Sequence, residues 1–376
     1  MDPLDKLRRQ YFSLYPIYLI NLPEPEILVN VNNQNYLIDK LLGNKIQPED
    51  EYRKKFWRKV LDFMEIGLKK LKNDDLEINE TFYDVLIELM VSDSNNQAGP
   101  SIAPKTSFRT FIYDIPPNYL LSSISISNEQ LNREIILLEE QIAIQGGTTG
   151  LRTWTAAIHL AHHILHNPGF IFPQYNSNSK TKGKGIIELG AGTGFLSILL
   201  AQLNFDVVST DLGKDQEEDQ FGFDKTYQEG ESQTPLARLK YNVSLNLSTS
   251  RSISVKSLDW TDASIPLEVR PNIWKQLNEE KRTIIAADVI YDPDLVQPLI
   301  NAISVLIGRK DDDVQAIISA TIRNCQTFNL FLDTCEQCRL RVDIIDLPRM
   351  DEENPTFWDS ALDRGTEVKI MRITRR

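Results

Sequence analysis

The amino-acid sequence predicts an α/β protein, a doubly wound and mainly parallel sheet with a mainly helical N-terminal extension. Three observations carry this expectation. From Gly185 onward, short β-branched runs alternate with apolar patterns of helical period. The first of these runs, Ile186–Leu189, passes directly into Gly190-Ala191-Gly192-Thr193-Gly194 and then into the helical pattern beginning at Phe195. Acidic residues recur where successive strands end, at Glu188, Asp211 and Asp259, which is where open α/β sheets bind their ligands.

The elements follow in order. Residues 1–127 form the first region, with amphipathic helical patterns near 3–14, 49–72 and 79–91, then a turn-rich stretch and the alternating segment SFRTFIYD. The pattern at 49–72 places Trp57, Leu61, Met64, Leu68 and Leu71 on one face, so its lysines are expected on the wet face of an amphipathic helix. Residues 128–376 form the second region, in which REIILLEEQIAI reads as strand-like and a glycine-rich loop feeds a helix over TWTAAIHLAHHILH. KGIIEL, FDVVSTD, SISVKSLDW, RTIIAADVIYD and DVQAIISATIR then read as strands, separated by helices at 194–203, 235–247, 294–308 and 324–338. RLRVDIIDL and TEVKIMRITR close the chain as two late strands, expected to add an antiparallel edge. An acidic insertion occupies about 213–234.

Composition narrows the partners. A chain of 376 residues with 41% hydrophobic content can bury a substantial core. The net charge of −12 disfavours direct nucleic-acid binding, which depends on Lys and Arg neutralising phosphates. The N-terminal residues lack a secretory pattern, and no run of about 18 apolar residues exists to span a membrane. Three cysteines do not suggest a disulfide framework. A monomeric protein of the cytoplasm is expected.

The glycines at 190, 192 and 194 permit a tight turn and bring a ligand against backbone N–H groups at a helix start. The spacing is G-x-G-x-G rather than the dinucleotide fingerprint G-x-G-x-x-G, and Glu188 adds a carboxylate at the expected mouth. A negative group there suits a cationic ligand such as S-adenosylmethionine better than a pyrophosphate. Asp211, 21 residues after Gly190, stands at the separation expected of a carboxylate that grips ribose hydroxyls. Asp259 and Trp260 offer a hydrogen-bond acceptor and a ring to an adenine. Each has a plainer reading as well: turn glycines, a capping aspartate, a core tryptophan.

These residues, with Ala287-Asp288-Val289-Ile290-Tyr291, resemble the seven-strand class I methyltransferases and, more narrowly, the branch of protein lysine methyltransferases with a D-x-x-Y motif after the fourth strand. GTTGLRTWTAA around Trp154, and ATIRN with TFNLF after the fifth strand, are similar to the fungal enzymes that methylate a lysine of translation elongation factor 2. The resemblance implies cofactor contacts at Trp154, Glu188, Gly190, Ala191, Gly192, Gly194, Asp211, Asp259, Trp260 and Ala287, and Asp288 and Tyr291 at the transfer site, with Asp288 as orienting group or proton acceptor. It implies S-adenosylmethionine as cofactor and elongation factor 2 as protein partner. Val289 and Ile290 stand where a related motif acting on nucleobase amines has prolines. The insertion at 213–234 departs from the pattern near the ribose strand end, and the N-terminal helices are candidates for substrate recognition by position alone.

Two clusters read otherwise. His159, His162, His163 and His166 share one helix face without a nearby carboxylate or cysteine, and Cys335 and Cys338 lack two further ligands, so a half-buried face and a packed thiol pair are expected rather than metal. At this stage three readings stand: a lysine methyltransferase of a translation factor, a methyltransferase of the same fold acting on another protein, RNA or a small molecule, and a non-catalytic cofactor-binding module.

Overall fold

The computed structural model describes residues 1–71, 76–95, 106–116, 132–140, 152–173, 185–213, 234–250, 252–308, 314–359, 363 and 365–376. The expected boundary at 127/128, the body of the insertion at 214–233 and the Gly146–Leu151 loop lie outside them. The chain divides into one unit of Met1–Tyr113, Leu138–Ile142 and Asp351–Ala361, and a second of Asp114–Leu137, Ala143–Met350 and Leu362–Arg376.

In the first unit α1 (Pro3–Phe12) starts where the Asp2 carboxylate accepts the N–H groups of Leu4 and Asp5 at 2.9 and 3.1 Å. Two short helices, α2 (Pro25–Leu28) and α3 (Val31–Leu37), lead to the long α4 (Asp50–Leu71), α5 (Thr81–Asn95) and strand β1 (Thr106–Asp114). As the periodicity predicts, α4 buries Trp57, Leu61 and Met64, together with Phe56 and Val60, and leaves Lys55, Arg58, Lys69 and Lys70 in water; of the expected face, Leu68 is half-buried and Leu71 exposed. Tyr11, Phe56, Trp57 and Phe82 form an aromatic chain through the core, with successive ring centroids 4.5, 5.0 and 5.6 Å apart. Arg109 on β1, 1% exposed, donates to Ser13 O at 2.7 Å and Trp358 O at 3.1 Å, pairs with Glu139 at 3.4 Å and stacks 4.4 Å over Phe111. Three stretches remote in sequence therefore close on one guanidinium.

The second unit holds most of β2 (Asn132–Glu140), α6 (Thr155–His166), α7 (Pro168–Ile171) and a seven-stranded sheet. Its strands are β3 (Ile186–Leu189), β4 (Val207–Asp211), β5 (Ile253–Ser257), β6 (Thr283–Ala287), β7 (Ala316–Thr321), β8 (Leu340–Ile344) and β9 (Val368–Arg375). Helices α8 (Phe195–Gln202), α9 (Pro235–Leu245), α10 (Asn272–Glu280), α11 (Pro293–Ile307) and α12 (Cys325–Gln337) connect them. The spatial order is β5-β4-β3-β6-β7-β9-β8. Strands β3 to β7 pair in parallel, and β9 runs antiparallel between β7 and β8. The late strands add the expected antiparallel edge, with β9 lying inside β8.

Strands β3, β6 and β7 are buried along their length, matching their continuous apolar runs. Successive crossovers leave β3 in opposite directions, first toward β4 and β5, then toward β6 and β7, which opens a crevice beyond its carboxyl end. Helix α10, absent from the sequence-based expectation, buries Trp274 and Leu277 and is amphipathic but only nine residues long.

Candidate active site

The chain leaves β3 through three glycines with φ of +63° at Gly190, +55° at Gly192 and +84° at Gly194. A Cβ on Gly190 would stand 3.0 Å from Val289 Cγ1 and 3.2 Å from the Trp260 ring, so this position lets the tips of β3 and β6 and the tryptophan converge. At Gly194 a Cβ would meet Leu239 Cδ1 at 2.7 Å, so α8 starts hard against α9. The loop is pinned from both sides. Thr193 Oγ1 lies 2.7 Å from Thr153 Oγ1, and Asn242 Nδ2 donates to Thr193 O at 3.0 Å.

A cavity of about 410 Å³ opens over this loop, and eleven of the twelve residues expected from the sequence line it. Gly194 does not line it, and serves to turn the chain into α8. Asp211 Oδ2 accepts the Gly192 N–H at 2.6 Å and Oδ1 the Leu212 N–H at 2.7 Å; burial raises its pKa, and the two amides oppose that shift. Asp259 caps the 3-10 turn Trp260–Ser264, its Oδ1 accepting the Thr261 N–H at 2.9 Å and hydroxyl at 2.7 Å, with Trp260 turned onto Gly190. Asp259 and Trp260 thus form this turn and line the cavity at once.

Glu188 differs from expectation. Rather than a charged group at the mouth, it is 3% exposed on the cavity floor, hydrogen-bonded by Ser197 Oγ, which lies 2.7 Å from Ser209 Oγ. Burial, followed by the charge of Asp211, pushes its pKa up to about 8 against the pull of Ser197. A cationic ligand is what would favour its charged form.

Asp288, at the end of β6 after Ala287, carries φ of +54° and is 9% exposed. Its carboxylate accepts from Thr321 N at 2.9 Å, Thr321 Oγ1 at 3.0 Å, Ala156 N at 3.3 Å and both terminal nitrogens of Arg323 at 3.3 and 3.2 Å. Arg323 also holds Asp363 through Nε at 2.9 Å and Nη2 at 2.6 Å, and its guanidinium lies 4.9 Å over Trp154. Tyr291 stands at the rim, 44% exposed. Sequence reasoning did not single out Arg323 or Asp363. Arg323 lay in the quoted ATIRN without a role, and Asp363, 40 residues further on, had no local signal.

The His162 and His166 rings stack 4.5 Å apart, His163 meets His162 edge-on at 5.0 Å, and Asn167 Nδ2 lies 3.1 Å from His163 Nδ1. Burial, then neighbouring imidazoles, lowers His162 to about 3 and His163 to about 4. Cys335 is fully buried and its pKa is raised to about 12 by burial and then by Cys338. No group of three or more His, Cys, Asp or Glu among the described residues is placed to hold a metal ion.

The cavity fits S-adenosylmethionine on its own terms: a glycine loop along its wall, the carboxyl groups of Glu188 and Asp211 at two neighbouring strand ends, and an indole against the first glycine. A family model described as lysine methyltransferase matches residues 131–220 and 231–337. The chain is 25% identical over 364 residues, 95% of its length and 94% of the relative's, to protein-lysine N-methyltransferase EFM3 of Chaetomium thermophilum. EFM3 of Saccharomyces cerevisiae is 26% identical over 237 residues, 61% of this chain and 62% of its own length. Protein-lysine N-methyltransferase EEF2KMT of Homo sapiens is 24% identical over 223 residues, covering 56% and 57%.

Proposed function

We propose, from the premise that this chain belongs to the lysine methyltransferase family, that it methylates a lysine of translation elongation factor 2. The chain is an S-adenosylmethionine-dependent protein-lysine N-methyltransferase, and the cofactor supplies an electrophilic methyl group on a cationic sulfur. The observation that carries the rest is the continuity of one cavity from the glycine loop and Asp211 to Asp288 and Tyr291. In this reading Asp211 accepts ribose hydroxyls, Asp259 and Trp260 hold the adenine, Gly190–Gly192 bring the backbone against the ligand, Glu188 lies beneath the charged end, and Trp154 and Ala287 shape the wall. Asp288 and Tyr291 border the lysine channel, and the exposed Tyr291 hydroxyl directs the incoming side chain. Since the chain's groups position rather than bond covalently, their contribution is alignment and exclusion of water.

Elongation factor 2 is favoured by the resemblance of the Trp154, D-x-x-Y and ATIRN segments and by the likeness to a human enzyme whose name designates that factor. The cytoplasm, where that factor works, is the expected compartment, and Cys325, Cys335 and Cys338 are free thiols there. The test is incubation of the purified chain with elongation factor 2 and labelled S-adenosylmethionine, with the product mapped by mass spectrometry. One or more methyl groups on a single lysine is the expected result. Label in another protein of a lysate, with the factor untouched, refutes the substrate.

A further inference from the structure

Five described residues other than glycine have positive φ, and four of them, Leu14, Asn204, Lys281 and Arg339, follow helices. Asp288 alone follows a strand, and such a conformation costs about 1–3 kcal/mol unless its surroundings over-determine it. The surroundings do so here. Asp288 N–H donates to Ser319 O at 2.9 Å, and five donors reach its carboxylate. A carboxylate offers about four lone-pair sites, so its acceptor capacity is filled by the protein, with none left for a substrate ammonium or for a proton in transit.

Two of the five donors belong to Arg323, whose fork also engages Asp363. Among the described residues, the charged and titratable groups facing Asp288 are this arginine with Asp363 behind it, and Arg152, Tyr291 and Asp292 along the cavity. Glu188, Asp211 and Asp259 line the other end.

We infer that Arg323 is a positioning residue for methyl transfer: by saturating and neutralising Asp288 it keeps the wall of the lysine channel from holding the incoming side chain as an ammonium. The inference rests on the lysine methyltransferase reading and on Asp288 bordering the channel. The amine nitrogen bonds to the methyl carbon only through its lone pair, while the carbon–sulfur bond breaks with its electron pair remaining on sulfur. The nitrogen takes up the positive charge and afterwards releases a proton to water. A bare carboxylate within about 4–6 Å of the amine favours its charged form by about 1–3 pKa units, and each unit removes tenfold of the attacking species. With Arg323 in place that penalty is absent, and the same guanidinium braces Trp154.

The test compares wild type, Arg323→Gln, Arg323→Lys and the double variant Arg323→Gln/Asp288→Asn on elongation factor 2. It records kcat and KM against pH, and binding of the factor by calorimetry with S-adenosylhomocysteine present. Arg323→Gln is expected to move the rising limb of kcat up by about one pH unit, with KM not raised and the factor bound at least as tightly. Adding Asp288→Asn returns the limb to its wild-type position. Arg323→Lys, which keeps the cation, holds the wild-type limb while losing the fork. An Arg323→Gln limb that coincides with wild type, whatever its melting temperature, overturns the inference, as does a double variant whose limb stays displaced. If Arg323→Gln does not fold, a limb displaced by about one pH unit in Arg323→Lys overturns it instead. A wild-type chain that leaves the factor unmodified refutes the substrate alone, and the pH series is then run on the protein it labels in a lysate.

Discussion

Gly190 and Glu188 are two positions apart on one strand end and are governed by different forces. At Gly190 the constraint is steric: φ of +63° with Val289 and Trp260 at 3.0 and 3.2 Å of a Cβ. Gly190→Ala is expected to strain the backbone by about 1–2 kcal/mol and, by displacing Trp260, to weaken S-adenosylmethionine binding more than tenfold in calorimetry; unchanged affinity would show that the indole is not part of the site. At Glu188 the constraint is electrostatic. Because its folded pKa is raised from 4.5 to about 8, its stabilising contribution is complete below pH 4.5 and is lost as pH rises through about 8. Glu188→Gln should therefore flatten the decline in melting temperature of the ligand-free protein between pH 6 and 8. An equally steep decline in the variant would assign the effect to another group. The glycine spacing was legible in the sequence because backbone freedom is a property of one residue. The protonation of Glu188 was not, because desolvation depends on Ser197, Ser209 and the neighbouring strands.

Helix α6 carries the histidines on the element that abuts the site through Trp154 at its N-terminus. His162 is lowered from 6.5 to about 3, so the neutral stack stabilises fully above pH 6.5 and loses that contribution as pH falls below it. His162→Leu is expected to remove roughly 1 kcal/mol of the stability difference between pH 7 and 5, after allowance for the ring's partial exposure. Urea midpoints at the two pH values measure it, and an undiminished difference would place the acid sensitivity elsewhere. At this scale sequence periodicity served well: α1, α4, α8, α9, α11 and α12 lie within two or three residues of their expected spans. It missed α10 and the helices between residues 25 and 42, whose short apolar patterns give too few turns for a period to stand out.

Across the whole molecule, remote segments meet on two arginines, the buried Arg109 in the first unit and the partly exposed Arg323 in the second. Removing Arg109 strands Glu139 in a dry site, so Arg109→Met is expected to destabilise the first unit by about 3–5 kcal/mol. Calorimetry that resolves the unfolding of that unit is the measurement, and a shift under about 1 kcal/mol would show that Glu139 finds water or another partner. Strand order lies at this scale too. The sequence by itself determined the alternation of strand and helix, the glycine turn and the acidic strand ends, since these follow from local backbone freedom and side-chain period. Only the tertiary structure decided that β9 slips between β7 and β8, that Asp288 meets Arg323 rather than water, and that Glu188 is buried on the floor with its pKa raised. Pairing partners, ionisation and burial are properties of what surrounds a residue in space, and residues 288, 323 and 363 become neighbours only when the sheet has formed.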